Sequence, residues 1–194
     1  MNFELPESHV LLRSTVRAFC ERNVAPFARL WDREARFPSE IIPSLAQLGL
    51  LGIVVPEKYG GAGMDMLAYV ICVEEIATFD GALALTVASH NGLALAHVLI
   101  AGTDEQKNQV LPKAVSGQSL AAWAMTEPGA GSDSAAISST AVRDGDDWII
   151  NGTKTFISQG SVCGFCVVLT QTILNDHGLR GMTAFIVERG TNGF

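Results

Sequence analysis

Ser119-Leu120-Ala121-Ala122-Trp123-Ala124-Met125-Thr126-Glu127-Pro128-Gly129-Ala130-Gly131-Ser132-Asp133 marks the point where the chain changes character. Its first eight residues are a short apolar run, which reads as a strand; Glu127 to Ser134 reads as a loop. Downstream, Ser138–Arg143 predicts a strand, Asp144-Gly145-Asp146-Asp147 a hairpin turn, and Trp148-Ile149-Ile150 the returning strand. Asn151-Gly152 makes a second turn. Thr155–Ser158, Cys163–Gln171 and Met182–Glu188 are predicted as further strands. This is an antiparallel β domain, and the chain stops at Gly193-Phe194 with no capping element, which predicts an open sheet edge.

Upstream the periodicity is helical. Val10, Leu11, Val16, Phe19 and Cys20 recur near helical spacing, and Asn23 to Pro26 interrupts them. Pro26 is predicted to open a second helix and Pro38-Ser39-Glu40 a third, which ends near Gly49. Pro56-Glu57-Lys58-Tyr59-Gly60-Gly61-Ala62-Gly63 is a turn-rich loop without the spacing of a phosphate loop. Asp65 and Asp80 each stand where a helix cap belongs, and Thr103-Asp104-Glu105-Gln106 is a capping box. The expected class is therefore α+β: an all-α helical domain over residues 1–118, then an incomplete antiparallel, β-barrel-like domain over residues 119–194.

Composition narrows the function classes. Apolar residues make up 48% of the 194, enough to bury a core, and a formal charge of -7 disfavours a nucleic-acid partner. The four cysteines are too sparse for a disulfide framework. Cys163 and Cys166 lie in a stretch that reads as a strand and lack further metal ligands, so no metal site is expected. Met1-Asn2-Phe3-Glu4-Leu5-Pro6-Glu7 has no basic or apolar leader region. Residues 81–103 carry no formal charge and could span a bilayer by length. Thr86, Ser89, His90, Asn91 and His97 interrupt them, and a helix buried in the helical domain is expected, with no membrane span. His90 and His97, seven apart, read as packing histidines, and the adjacent Glu74 and Glu75 as solvated or interface groups.

Two segments carry chemistry. In Thr126-Glu127-Pro128-Gly129-Ala130-Gly131-Ser132-Asp133 the glycines permit close approach to a ligand, and Thr126 and Ser132 supply hydroxyls. In Asn151-Gly152-Thr153-Lys154-Thr155-Phe156-Ile157-Ser158 an aromatic ring and a hydroxyl would share one face of a strand, an arrangement that suits a flat heteroaromatic ring. Taken singly, the first segment reads more readily as an ordinary hairpin connection, and the second as a core phenylalanine and a strand-end serine.

Together, and with the loop at 56–63 and Gly102-Thr103-Asp104-Glu105-Gln106-Lys107, the two segments resemble the acyl-CoA dehydrogenase family along essentially the whole chain. The resemblance implies FAD as cofactor, with Trp123 to Ser132 lining the flavin. Met125 and Thr126 would lie on its pyrimidine side, the Thr126 hydroxyl reaching toward N1. The backbone at Gly131 and Ser132 would meet the pyrophosphate, and Ser132 the acyl-CoA substrate. Phe156 stands where the family usually has tryptophan against the flavin, Ser158 where it has threonine near N5, with Ile157 between them. The implied reaction is α,β-dehydrogenation of an acyl-CoA thioester, as in fatty-acid or branched-chain oxidation. Its base would be a glutamate of a C-terminal helical domain that has no counterpart here, so no catalytic residue is assigned and Glu127 is read as part of the loop. Also implied are an electron-transfer flavoprotein as partner, a homotetramer at full length, and a bacterial cytoplasm or mitochondrial matrix. The alternatives are a flavin monooxygenase or acyl-CoA oxidase of the same fold, or a non-catalytic flavin-binding or interaction module.

Overall fold

A computed structural model describes residues 4–173 and 180–194, so the first three residues of the N-terminal stretch lie outside it. The chain divides into two compact units, residues 1–120 and 121–194.

In the first unit, α1 (Glu7–Asn23) ends where the sequence predicts; α2 (Ala28–Arg33) starts two residues after Pro26. A 3-10 turn at Ser39–Ile41 leads into α3 (Ile42–Gln47), closed by Gly49 at φ +74° just past the helix, where a side chain would be strained. The 56–63 loop folds back so tightly that a Cβ on Gly61 would lie 2.0 Å from the Val55 carbonyl oxygen. Only glycine fits there. The Asp65 side chain accepts from the Ala68 N–H to cap α4 (Met66–Ala77), and Asp80 accepts from the Leu83 N–H to cap α5 (Gly81–Ala88). After α6 (Ala96–Ala101), both halves of the Thr103/Gln106 capping box form at the start of α7 (Asp104–Val115).

The long uncharged helix is not regular. Between α5 and α6 the chain is π-helical over Ser89–Leu95. The run 81–101 is long and apolar enough to cross a membrane, yet more than half of its apolar window is buried inside the protein. The bulge has a polar anchor. Asn91 Oδ1 accepts from the Ile53 N–H at 3.1 Å, and its Nδ2 donates to the carbonyls of Leu50 (2.9 Å) and Val87 (3.0 Å). His90 Nε2 donates to the Leu51 carbonyl at 3.1 Å. Residues 50–53 thus have backbone groups satisfied by side chains of the bulge. The π turn also takes His90 and His97 out of simple seven-residue register: His90 is fully buried and His97 half-buried.

Of the two roles expected for Glu74 and Glu75, solvated or interface, Glu75 takes the second: it is 3% exposed and accepts from Arg17 Nε at 2.8 Å, with Arg13 Nε at 3.5 Å. Its partners lie on α1, so α1 and α4 meet through an ion pair that the pattern of α4 alone does not show. Beside it, Cys20 and Cys72 are buried, and burial pushes both thiols up to about 12, leaving them inert.

The second unit is a five-stranded sheet of β1 (Ala121–Ala124), β2 (Thr140–Asp144), β3 (Asp147–Asn151), β4 (Phe165–Ile173) and β5 (Arg180–Glu188). The hairpin at 144–147 forms as predicted. The sheet is mixed, however, and not antiparallel throughout. One edge of β4 pairs parallel with β1 over 165–168 and with β2 at 171–172; the other pairs antiparallel with β5. Long connections at 125–139 and 152–164 carry the chain across, and parallel neighbours require such connections. Thr155–Ser158 is not a strand, and Cys163 stands two residues ahead of one. Both cysteine thiols are buried and pushed up by that burial, Cys166 to about 12.

The polar anchor should outweigh an ordinary cap. Asn91→Ala leaves the Ile53 N–H and the Leu50 carbonyl unsatisfied in the core and should cost about 3 kcal/mol. Thr103→Ala, at an exposed cap, should cost about 1 kcal/mol. Urea unfolding midpoints compare the two; equal, small shifts would contradict the anchoring role of Asn91.

Candidate cofactor-binding site

The two chemistry-bearing segments come together in the second unit without forming a ladder. The Thr155 N–H donates to the Thr126 carbonyl at 2.9 Å. Lys154 Nζ donates to the Met125 carbonyl at 3.0 Å and lies 2.7 Å from Glu127 Oε1. Gln159, a few residues on, is buried and donates from Nε2 to the Ala121 carbonyl at 2.9 Å. The stretch 154–159 is therefore fastened along the length of the stretch 121–127.

Glu127 holds the other end. It is 4% exposed. Its Oε2 accepts from the Ser138 N–H at 2.6 Å and the Ser138 hydroxyl at 2.7 Å, and its Oε1 from the Ser139 N–H at 3.0 Å as well as from Lys154. Burial opposes ionisation of this carboxyl. The donors at Lys154, Ser139 and Ser138 outweigh it and hold the group well below the usual carboxylate range. The glycine-rich loop thus starts and ends on one side chain. Its first turn is closed by paired bonds between Glu127 and Ala130, at 2.9 and 3.1 Å.

The eight residues expected at a cofactor are Trp123, Met125, Thr126, Gly131, Ser132, Phe156, Ile157 and Ser158, and they do not share one environment. Met125 and Thr126 are half-buried and lie directly beside the second segment. Gly131 and Ser132 lie on the exposed outer part of the loop. Trp123, in β1, has a buried indole N–H with no acceptor among the described residues. In the second segment the expected shared strand face of Phe156 and Ser158 is not found. Phe156 sits at φ +56° and Gln159 at +46°, left-handed conformations that break the alternation. The Phe156 ring is 92% exposed, while Ile157 and Ser158 are half-buried. Ile157 packs against Ala122, Ala124, Cys166 and Val168 on one face of the sheet.

That face lines a cavity of about 750 Å³, walled also by Trp148 and Phe185, whose rings are 5.3 Å apart. Of the eight expected residues only Ile157 reaches it. Trp123 alternates to the opposite face of β1, and the loop lies beyond the strand end. Sequence reasoning did not assign a role to Lys154, although the second segment contains it. A single charged residue in a turn carries no mark of the carboxylate it will meet 27 positions away.

A helical unit followed by a small mixed sheet, with a glycine-rich loop laced to a returning segment, defines an α+β protein. The chain belongs to the acyl-CoA dehydrogenase family: the family's N-terminal domain matches residues 6–118 and its middle domain residues 122–194. It is 41% identical over 187 residues to a 3-(aryl)acrylate reductase of Clostridium sporogenes, covering 96% of this chain and 49% of that one. It is 39% identical over 194 residues to a short-chain-specific acyl-CoA dehydrogenase of Clostridium acetobutylicum, covering all of this chain and 51% of the relative. Among solved structures, a glutaryl-CoA dehydrogenase from Mycobacterium smegmatis in complex with FADH2 superposes with a TM-score of 0.91 at 32% identity, covering 98% of this chain and 47% of the other. The chain spans about half the length of the curated relatives it matches.

The depressed carboxyl of Glu127 sets a pH dependence. Its folded-state value lies below the unfolded one, so its stabilisation is complete above about 4.3 and is lost as the pH falls from there toward the folded value. Urea midpoints should therefore drop between about pH 5 and about pH 3 in the unsubstituted protein. Glu127→Gln should be less stable at neutral pH and show a flatter acid limb; parallel limbs would rule out Glu127 as the group responsible.

Proposed function

We propose that these 194 residues supply the FAD-holding half-site of an acyl-CoA dehydrogenase that carries out α,β-dehydrogenation of an acyl-CoA thioester. In this reading residues 1–118 are the N-terminal helical domain and residues 119–194 the first part of the middle β domain. The observation that carries the reading is Phe156, an aromatic ring 92% exposed on left-handed backbone, close to the half-buried Ser158 and one residue from the bond that joins Thr155 to Thr126. Left-handed backbone at a phenylalanine costs about 1–3 kcal/mol and is characteristic of ligand clamps. A flat ring stacked on Phe156 would bury the aromatic surface that the unit leaves open.

The donor set fits a flavin. Trp123 offers a buried N–H without an acceptor among the described residues, and Thr126 and Ser158 offer hydroxyls. A Cβ on Gly129 or Gly131 would meet nothing within 4 Å, so the loop leaves room for an anionic tail. Met125 and Thr126 would lie along the pyrimidine side, with Gly131 and Ser132 at the pyrophosphate and Ser132 also at the acyl-CoA. Trp123, Phe156 and Ser158 would complete the wall, and Ile157, whose side chain packs on the other face of β1, would contribute its backbone. Bound here, FAD would supply the hydride-accepting chemistry, and these residues would orient it and exclude water. The proton acceptor is a different group. Glu127, the buried carboxylate of the loop, has donors on both oxygens and is held far too acidic to act as a base near neutral pH.

An electron-transfer flavoprotein as electron acceptor, a homotetrameric assembly, and a bacterial cytoplasm or mitochondrial matrix complete this reading. The similarity to an acrylate reductase favours a second one, in which the same carbon–carbon bond is reduced rather than oxidised.

Protein expressed from its complete reading frame, incubated with excess FAD and desalted, should keep a structured flavin absorption band. Butyryl-CoA added without oxygen should bleach it. Bleaching only by a chemical reductant, with colour restored by an arylacrylate, would favour the reductase reading; a colourless protein would sink both. Phe156→Ala should leave folding stability within about 0.5 kcal/mol, because the ring is exposed. It should weaken FAD binding by roughly tenfold through the lost stacking. Unchanged affinity in a flavin titration would remove Phe156 from the site.

A further inference from the structure

Lys154 joins two stretches of the sheet unit through a single ammonium. That group, on a side chain only 11% exposed, bonds the Met125 carbonyl and the Glu127 carboxylate at once. The neighbouring Thr155 N–H takes the Thr126 carbonyl between them. Three consecutive residues of the first segment are thus fixed by two consecutive residues of the second, although neither stretch is in a strand. Glu127 in turn receives Ser138 and Ser139, so the loop from 128 to 137 has both feet on the same carboxylate.

We infer that Lys154 and Glu127 are a positioning pair: they set the separation and orientation of the two flavin-facing segments without touching the flavin. The inference rests on the flavin reading of the site. A buried ion pair is a poor device for stability alone, since apolar residues of similar volume commonly do as well. An apolar pair cannot fix where a carbonyl points. By consuming the carbonyls of Met125 and Thr126, Lys154 and Thr155 leave the Thr126 hydroxyl among the polar groups this stretch can offer a ligand. The required precision is high, because a ligand site held loosely loses most of its affinity.

Three variants of the protein from its complete reading frame test this: Lys154→Met, the double variant Glu127→Gln/Lys154→Met, and Ser138→Ala. The double variant leaves no unpaired buried charge, and Ser138→Ala removes one donor without changing charge, so the test remains decidable if Lys154→Met unfolds the unit. Three quantities are measured: the amide exchange rate of Thr155, FAD affinity by fluorescence quenching, and the visible circular dichroism of bound flavin. The double variant should fold, exchange Thr155 faster, bind FAD about tenfold more weakly, the equivalent of one lost charged hydrogen bond, and shift the flavin dichroism. Ser138→Ala should move all three in the same direction by less. Folded variants with faster exchange but unchanged FAD affinity and dichroism would overturn the positioning role and leave a purely structural pair. If the unsubstituted protein takes up no FAD, the flavin reading fails and the positioning role falls with it.

Discussion

The sheet unit is organised around one ionised carboxylate out of contact with water. A buried charge is tolerated only when its lone pairs are taken, and Glu127 achieves this with an ammonium, a hydroxyl and two backbone N–H groups. Those donors come from two separate parts of the chain, Lys154 and Ser138-Ser139, so satisfying the charge draws the end of the loop and the returning segment to the end of β1. The strands downstream inherit that placement. Ser139 leads directly into β2, and the Ser139 carbonyl accepts from the Gln171 N–H at 2.8 Å, which ties the foot of the loop to β4. Through β4 the constraint reaches the rest of the sheet, since β4 pairs with β1, β2 and β5.

The helical unit solves a similar problem with an amide and an imidazole. Asn91 and His90 enter the core from the π-helical turn and hold the backbone of residues 50–53, which is in neither helix nor strand. In each unit a segment without a regular ladder is fixed by side chains whose alternative is an unsatisfied buried polar atom. Such networks specify one arrangement because a partial version costs more than none. The π turn itself is held by close packing: Tyr69 donates to the Ala88 carbonyl at 3.0 Å, and a Cβ on Gly92 would clash with the tyrosine oxygen.

Features whose cause is local were legible in the sequence. Asp65, Asp80 and the Thr103/Gln106 box cap helices because the groups they bond lie within three residues, and Gly145 turns the hairpin where its neighbours say it should. Features whose cause is distant were not. Thr155-Phe156-Ile157-Ser158 has the β-branched, alternating look of a strand, yet Thr155 is drawn to Thr126 and Gln159 to Ala121, and these attachments accompany left-handed backbone at Phe156 and Gln159. Glu75 reads as either a solvated or an interface group beside Glu74 until α1 brings Arg17 from 58 residues away. The parallel partners of β4 are a third case, because pairing across long connections leaves no mark within the strand. At the candidate site the two segments stood out in the sequence, and the ion pair that joins them left no mark in it.

The same physics separates holding from proton transfer. A general base works with a lone pair open to the substrate and an affinity for protons matched to the operating pH. A clamp works with every lone pair engaged and an affinity suppressed by its donors. Glu127 meets the second description at both oxygens, so raising its basicity would require removing the contacts that place Ser138, Ser139 and Lys154. On the flavin reading, a carboxylate that abstracts an α-proton must therefore come from an environment with fewer donors than the loop provides.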